Sequence, residues 1–149
     1  MDWIRHGIIG AALGIAMSSP VLADDAADVT AVLESYSGAL SAENVQEAER
    51  WVLPDGSDFT IFEGGGGDIG WAEYRDHHLA PEFAAEHVAF HVYDWSGYSV
   101  LADDELAFAT FDIRMEYEVR GEARERDAHG TAILVRTAAG WRIKHLHTS

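Results

Sequence analysis

The sequence predicts an α+β fold in which three helices of the N-terminal half pack on a strongly curved, mainly antiparallel sheet and enclose a pocket. Three observations predict it. Apolar residues recur at helical spacing up to about residue 79 and at strand spacing from about residue 87 to the end. Turn residues separate the later segments at Arg120-Gly121-Glu122 and at Ala138-Ala139-Gly140. Helices that come first and a meander that comes last place the helices on one face of the sheet, over a concave hollow.

Residues 1–23 read as a signal peptide and residues 24–149 as a single domain. Arg5 and His6 give a weakly positive start. Gly7 to Met17 is an apolar run too short to span a bilayer, Ser18-Ser19-Pro20 breaks it, and Val21-Leu22-Ala23 presents the residues a signal peptidase reads. Cleavage is expected before Asp24, with export to the periplasm or medium and no stable membrane insertion afterwards. Val29, Val32, Leu33, Tyr36 and Leu40 set a first amphipathic helix over about 26–41. Ser41 is the expected N-cap of a short second helix running from Asn44 to Trp51, ended by Pro54-Asp55-Gly56. Phe59 to Phe62 reads as a strand and Gly64 to Gly67 as a loop. Trp71, Tyr74 and His78 set a third helix over about 69–79, stopped near Pro81.

His87 to Val100 is rich in aromatic and β-branched residues. Leu106 to Val119 alternates Phe108, Thr110, Asp112 and Arg114 against Ala107, Ala109, Phe111, Ile113 and Met115. Ala128 to Thr137 is another strand. In the last one, Trp141, Ile143, His145 and His147 alternate with Arg142, Lys144, Leu146 and Thr148. A face that begins with Trp and Ile points at a core, so the alternation turns both imidazoles inward.

The formal charge of −16 argues against nucleic acid and anionic membrane as partners. The chain has no cysteine, which excludes thiol chemistry and thiolate metal sites. It has no G-x-S-x-G, H-E-x-x-H or phosphate-cradling motif.

The order of elements, the stretch Gly70-Trp71-Ala72-Glu73-Tyr74-Arg75-Asp76-His77-His78-Leu79-Ala80-Pro81-Glu82-Phe83 and the ending Gly140-Trp141-Arg142-Ile143-Lys144-His145-Leu146-His147-Thr148-Ser149 resemble the nuclear transport factor 2-like, or SnoaL-like, superfamily, which includes ketosteroid isomerase-like proteins. The resemblance covers essentially residues 24–149. It implies a cystatin-like cone with its cavity between the third helix and the sheet, and often a homodimer packed through the outer sheet face. It does not fix a reaction. The isomerases' Asp base and Tyr/Asp pair have no residue-by-residue match here.

Seven histidines follow the leader. His145 and His147, roughly 6–7 Å apart on one strand face, are close enough to share a metal ion. His78 shares a helical stripe with Trp71 and Tyr74, and His91 alternates in phase with Ala89 and Tyr93 on a strand that the resemblance places beside the cavity. With Glu82 they make a candidate set for Zn²⁺ or Cu²⁺, and Glu63 is a further candidate. Trp71, Tyr74, His78, His91 and Trp141 are the candidate ligand-binding residues. His77, His87 and His129 are left at the rim, in a loop and on an undetermined side.

Three readings stay open: a His-lined metal or small-molecule binder, an enzyme and a non-catalytic dimerisation module. In the enzyme, His145 or His147, oriented by Glu82 or Asp112, is the general base, and Tyr74 or Tyr93 donates to an oxyanion. Trp51, Trp95, Phe59, Phe90, Phe108 and Phe111 are expected in the core, with Trp71 at the cavity border.

Overall fold

The computed structural model describes residues 21–53 and 58–149. Most of the expected signal peptide and the Pro54-Asp55-Gly56 turn lie outside the described residues. The first helix, α1 (Val21–Ser41), is followed by the short α2 (Val45–Glu49). The apolar stripe of α1 is buried as its spacing requires: Val29, Leu33 and Tyr36 are fully enclosed, and Val32 and Leu40 nearly so. The cap of α2 is Asn44 rather than Ser41, its side chain accepting from the Glu47 amide at 3.0 Å. Ser41 still belongs to α1, and its hydroxyl donates to the Tyr93 carbonyl.

Strands β1 (Thr60–Glu63) and β2 (Gly66–Ile69) form a hairpin, so half of the expected glycine loop is strand. The reason is local. A Cβ on Gly67 would lie 2.2 Å from the Phe62 ring, so only glycine lets that ring lie across β2. The third helical segment begins as α3 (Trp71–Tyr74), widens to a π turn over Arg75–Leu79 and resumes as α4 (Ala80–Phe83). The Ala80 amide donates to the Arg75 carbonyl, five residues back. Pro81 falls in the first turn of α4, where a missing N–H is tolerated. The helical path therefore runs past the expected stop and carries Glu82 and Phe83 with it.

Four long strands complete the sheet: β3 (Val88–Ala102), β4 (Leu106–Val119), β5 (Glu122–Thr137) and β6 (Gly140–Thr148). The order is β2-β1-β6-β5-β4-β3, antiparallel except for the parallel β1–β6 pair. The architecture is thus the expected α+β one, helices on one face of a curved six-stranded sheet. Trp95 stacks on Phe111 at 4.2 Å in the core between the layers. The Phe111 ring crosses β5 at Gly130, where a Cβ would sit 2.1 Å from it. No helix among the described residues is long and apolar enough to cross a membrane.

Two bulges decide which side chains face the helices. In β6, Leu134 pairs with Ile143 but Ile133 pairs with His145, so Lys144 is an extra residue. In β3, Phe90 pairs with Tyr117 but Val92 with Glu116, so His91 is extra. Each extra residue reverses the in–out alternation beyond it. A further shift lies between Ser96 and Ser99.

Candidate functional site

Between the inner face of the sheet, the end of α1 and the third helical segment lies a cavity of about 250 Å³. Its apolar wall comes from Leu40, Leu79, Phe83, Phe90, Ile113, Met115 and Ala128; its polar groups are Glu63, Tyr74, His78, Glu82, Tyr93, Arg126 and Thr148. Alternation along β1 turns Ile61 and Glu63 inward, with Ile61 in the core and Glu63 one step further, where the core gives way to the cavity. The bulge at Lys144 turns Leu146 and Thr148 inward beside them, in register with Ile61 and Glu63.

Glu63 is the best-sheltered carboxylate of the cavity. The Thr148 hydroxyl donates to its Oε1 at 3.4 Å. Burial raises its pKa above the ordinary carboxyl value; His78 and hydrogen bonds from Tyr74 and Thr148 pull it back, and Glu82 pushes it further up. Burial likewise raises Glu82, with His78 opposing. The His78 imidazole stands among three carboxylates: Nε2 is 3.6 Å from Glu63 and 4.0 Å from Glu82, and Nδ1 is 3.7 Å from Asp68. Its ring packs on Tyr74 at 5.2 Å. Burial raises the phenols of Tyr74 and Tyr93 and keeps them protonated. A sheltered carboxylate, two neutral phenols and an imidazole thus line one hollow together with apolar side chains, a set able to bind a polar group and to move a proton.

Several residues singled out in the sequence lie elsewhere. His145 and His147 share a face as expected, but it is the outer face, because the Lys144 bulge reverses the alternation. His145 Nδ1 is 2.7 Å from the Thr60 hydroxyl and its ring packs on Phe62 at 5.4 Å. Burial, then His147, lowers its pKa. His147 is exposed. His91 also points outward, its Nε2 3.4 Å from Glu118, because it is itself the extra residue of a bulge. His129 pairs with Asp112 at 2.9 Å on that face, so Asp112 orients no cavity base. Trp71 and Trp141 are core residues, 3% and 2% exposed, and do not line the cavity. Trp71 packs edge-on to Phe59, and Arg136 lies over Trp141 at 4.3 Å.

Of the proposed set, Tyr74, His78 and Glu82 do line the cavity. The five candidate metal ligands, His78, His91, His145, His147 and Glu82, are not brought together, and no cluster of three or more His, Asp or Glu suited to a metal ion occurs among the described residues. Phe90 lines the cavity rather than the core, and Phe108 stands 43% exposed on the outer face.

Residues 29–149 match the family model for a SnoaL-like domain. No curated protein sequence matches the chain. Among solved structures, the chain is similar to a nuclear transport factor 2-like superfamily protein from Salmonella enterica serovar Typhimurium, with 13% identity over 85% of this chain and 91% of that one and a TM-score of 0.73. It is also similar to a ketosteroid isomerase-like protein from Erwinia carotovora atroseptica, at 18% identity over 85% and 95% and a TM-score of 0.69. A nuclear transport factor 2-like protein with a cystatin-like fold from Novosphingobium aromaticivorans matches at 15% identity over 85% and 81%, with a TM-score of 0.67. At these identities the likeness is one of fold.

Proposed function

The chain belongs to the SnoaL-like domain family, and from that premise we propose that it binds a small organic molecule in the cavity bounded by Glu63, Tyr74, His78 and Tyr93. One observation carries the reading: a hollow of about 250 Å³, lined by apolar and polar side chains alike, ends on a sheltered carboxylate that accepts from the Thr148 hydroxyl. Sheltering a carboxylate from water is costly unless it is paired or hydrogen-bonded, and a hollow where a few polar groups converge beside apolar side chains is the usual form of a ligand site. The hollow is larger than the ~150 Å³ cavity that holds a benzene ring, which suits one ring with a short chain. Met115 lines it and is the sole methionine beyond residue 17, so its methyl group is a built-in reporter. With methionine methyl groups labelled with ¹³C, small aromatic compounds are expected to move the Met115 signal in a saturable way. A signal that stays fixed while the same compounds perturb only outer-face residues would remove the reading.

The raised pKa of Glu63 favours a second reading, acid–base catalysis with Glu63 as the proton acceptor and Tyr74 and Tyr93 as hydrogen-bond donors. In this reading the base is not His145 or His147, which lie outside the cavity. Its signature is a pH–rate limb in the range of a raised carboxyl, lost in Glu63→Gln.

Two further parts of the proposal concern setting. Export with cleavage before Asp24 rests on the leader sequence. Homodimerisation through the outer sheet face is supported by Leu101, Leu106 and Phe108, which stand 75%, 47% and 43% exposed on adjacent strands.

A further inference from the structure

We propose that the ligand of the cavity is an organic cation, an aromatic or alkyl amine whose ammonium group meets Glu63 and Glu82 while its apolar part lies among Phe83, Phe90 and Met115. This rests on the cavity being a ligand site and names the chemistry it selects.

Charge balance is the first argument. Glu63 and Glu82 line the hollow, and Asp68 stands 3.7 Å from His78 at its edge. Three carboxylates converge on one imidazole that is itself 44% exposed and is charged only when protonated. The remaining cationic group of the wall, Arg126, belongs to an exposed residue, and its guanidinium makes no ion pair with these carboxylates among the described residues. The local deficit of positive charge is of the same sign as the whole chain's −16. An ammonium ion near Glu63 and Glu82 supplies the missing charge and removes part of the cost that burial imposes on them.

The hydrogen-bond inventory is the second. The Tyr74 and Tyr93 phenols line the same end of the hollow as Glu63 and stay neutral there because burial raises their pKa. The Tyr36 hydroxyl is fully buried, has Tyr93 and Glu63 as its titrating neighbours, and has no partner among the described residues. A carboxylate only accepts and a neutral phenol both donates and accepts, so an ammonium group, with three donors and no acceptor, finds acceptors in Glu63, Glu82 and the phenol oxygens. A carboxylate ligand would bring only acceptors and a like charge.

The third argument is the wall itself. Rings of Tyr74, Tyr93, Phe83 and Phe90 surround the same volume, with Phe83–Phe90 and Phe90–Tyr93 in edge-to-face contact at 6.2 and 6.1 Å. Aromatic faces attract organic cations, and more so where water is excluded.

The test uses three compounds of nearly equal shape: 2-phenylethylamine, 2-phenylethanol and phenylacetate. Titrations at neutral pH read both calorimetric heat and the Met115 methyl signal. The amine is expected to bind at least about tenfold more tightly than the alcohol, the size of one charge-assisted hydrogen bond, with phenylacetate weakest. Glu63→Gln is expected to erase most of the amine's advantage over the alcohol, read as the ratio of the two affinities in the same variant. Glu82→Gln, at a more exposed position, is expected to reduce it less and serves if Glu63→Gln does not fold, as judged by its circular dichroism melt. Alcohol or phenylacetate binding as tightly as the amine, with Met115 shifting, would overturn the cation preference and leave the ligand site standing. No shift of Met115 with any of the three, in a protein that melts normally, would overturn both.

Discussion

Replacing Leu146 and His147 one at a time tests the geometry on which the site depends. The two are neighbours on β6, and an uninterrupted alternation from Trp141 would send His147 inward and Leu146 outward. The Lys144 bulge does the reverse: Leu146 is 1% exposed in the core, and His147 is exposed. Leu146→Ala removes three buried carbons, worth about 0.8 kcal/mol each in transfer alone, or about 2.4 kcal/mol. The void left beneath β1 and β5 adds to this, which brings the loss to about 3–4 kcal/mol. For a domain of this size that lowers the melting temperature by roughly 12–16 °C. His147→Ala removes an exposed ring and is expected to stay within about 0.5 kcal/mol. Urea and thermal unfolding followed by circular dichroism measure both. A neutral Leu146→Ala together with a costly His147→Ala would refute the bulge and return the imidazoles to the cavity.

Glu63→Gln is expected to raise the melting temperature near neutral pH. Burial raises the Glu63 pKa, so its contribution to stability is present below the ordinary carboxyl value of 4.5 and is lost as pH rises through the raised one. The gap between variant and wild type should therefore close in acid, and a gap that widens below that value would contradict the assignment. Gly130→Ala places a methyl carbon 2.1 Å from the Phe111 ring and is expected to cost about 1–3 kcal/mol in a urea titration, with Gly121→Ala not a fair control because its backbone has a φ of +81°. Gly38, which has nothing within 4 Å of a built Cβ, is the proper control, and Gly38→Ala should be neutral or stabilising. Phe108→Glu is expected to shift the mass in light scattering from dimer to monomer at micromolar concentration without lowering the melting temperature of the monomer. An unchanged dimer mass would remove the outer face as the interface.

Much of the fold is legible in the sequence because it follows from local periodicity. The stripe Val29, Val32, Leu33, Tyr36 and Leu40 specifies one face of α1, and that face is buried. The alternation of Ala107, Ala109, Phe111 and Ile113 specifies the inner face of β4, and all four are buried. Phe59, Ile61 and Glu63 alternate just as legibly, and that pattern points Glu63 to the same side as two core residues. Phe108 misleads because an apolar residue on an outer sheet face and one in a core are the same symbol in a sequence.

The two bulges are a different matter, and the same feature that hides the site from the sequence also makes it. Neither His91 nor Lys144 carries the glycine or proline that often marks an irregularity. Their extra residues exist only relative to the register of β4 and β5, which is a non-local property. In a regular β3, Phe90 and Tyr93 would face opposite sides, since they are three residues apart. The extra residue at His91 brings both into the cavity, the ring to its wall and the phenol to its polar end. In a regular β6, Thr148 would face away from the helices and Glu63 would lose its hydroxyl partner. The extra residue at Lys144 turns Thr148 inward to within 3.4 Å of that carboxylate. Two inserted residues thus exchange a strand's worth of imidazoles for one phenol, one aromatic wall and one hydroxyl. That exchange changes the chemistry of the hollow from a cluster of histidines to a carboxylate held among neutral donors.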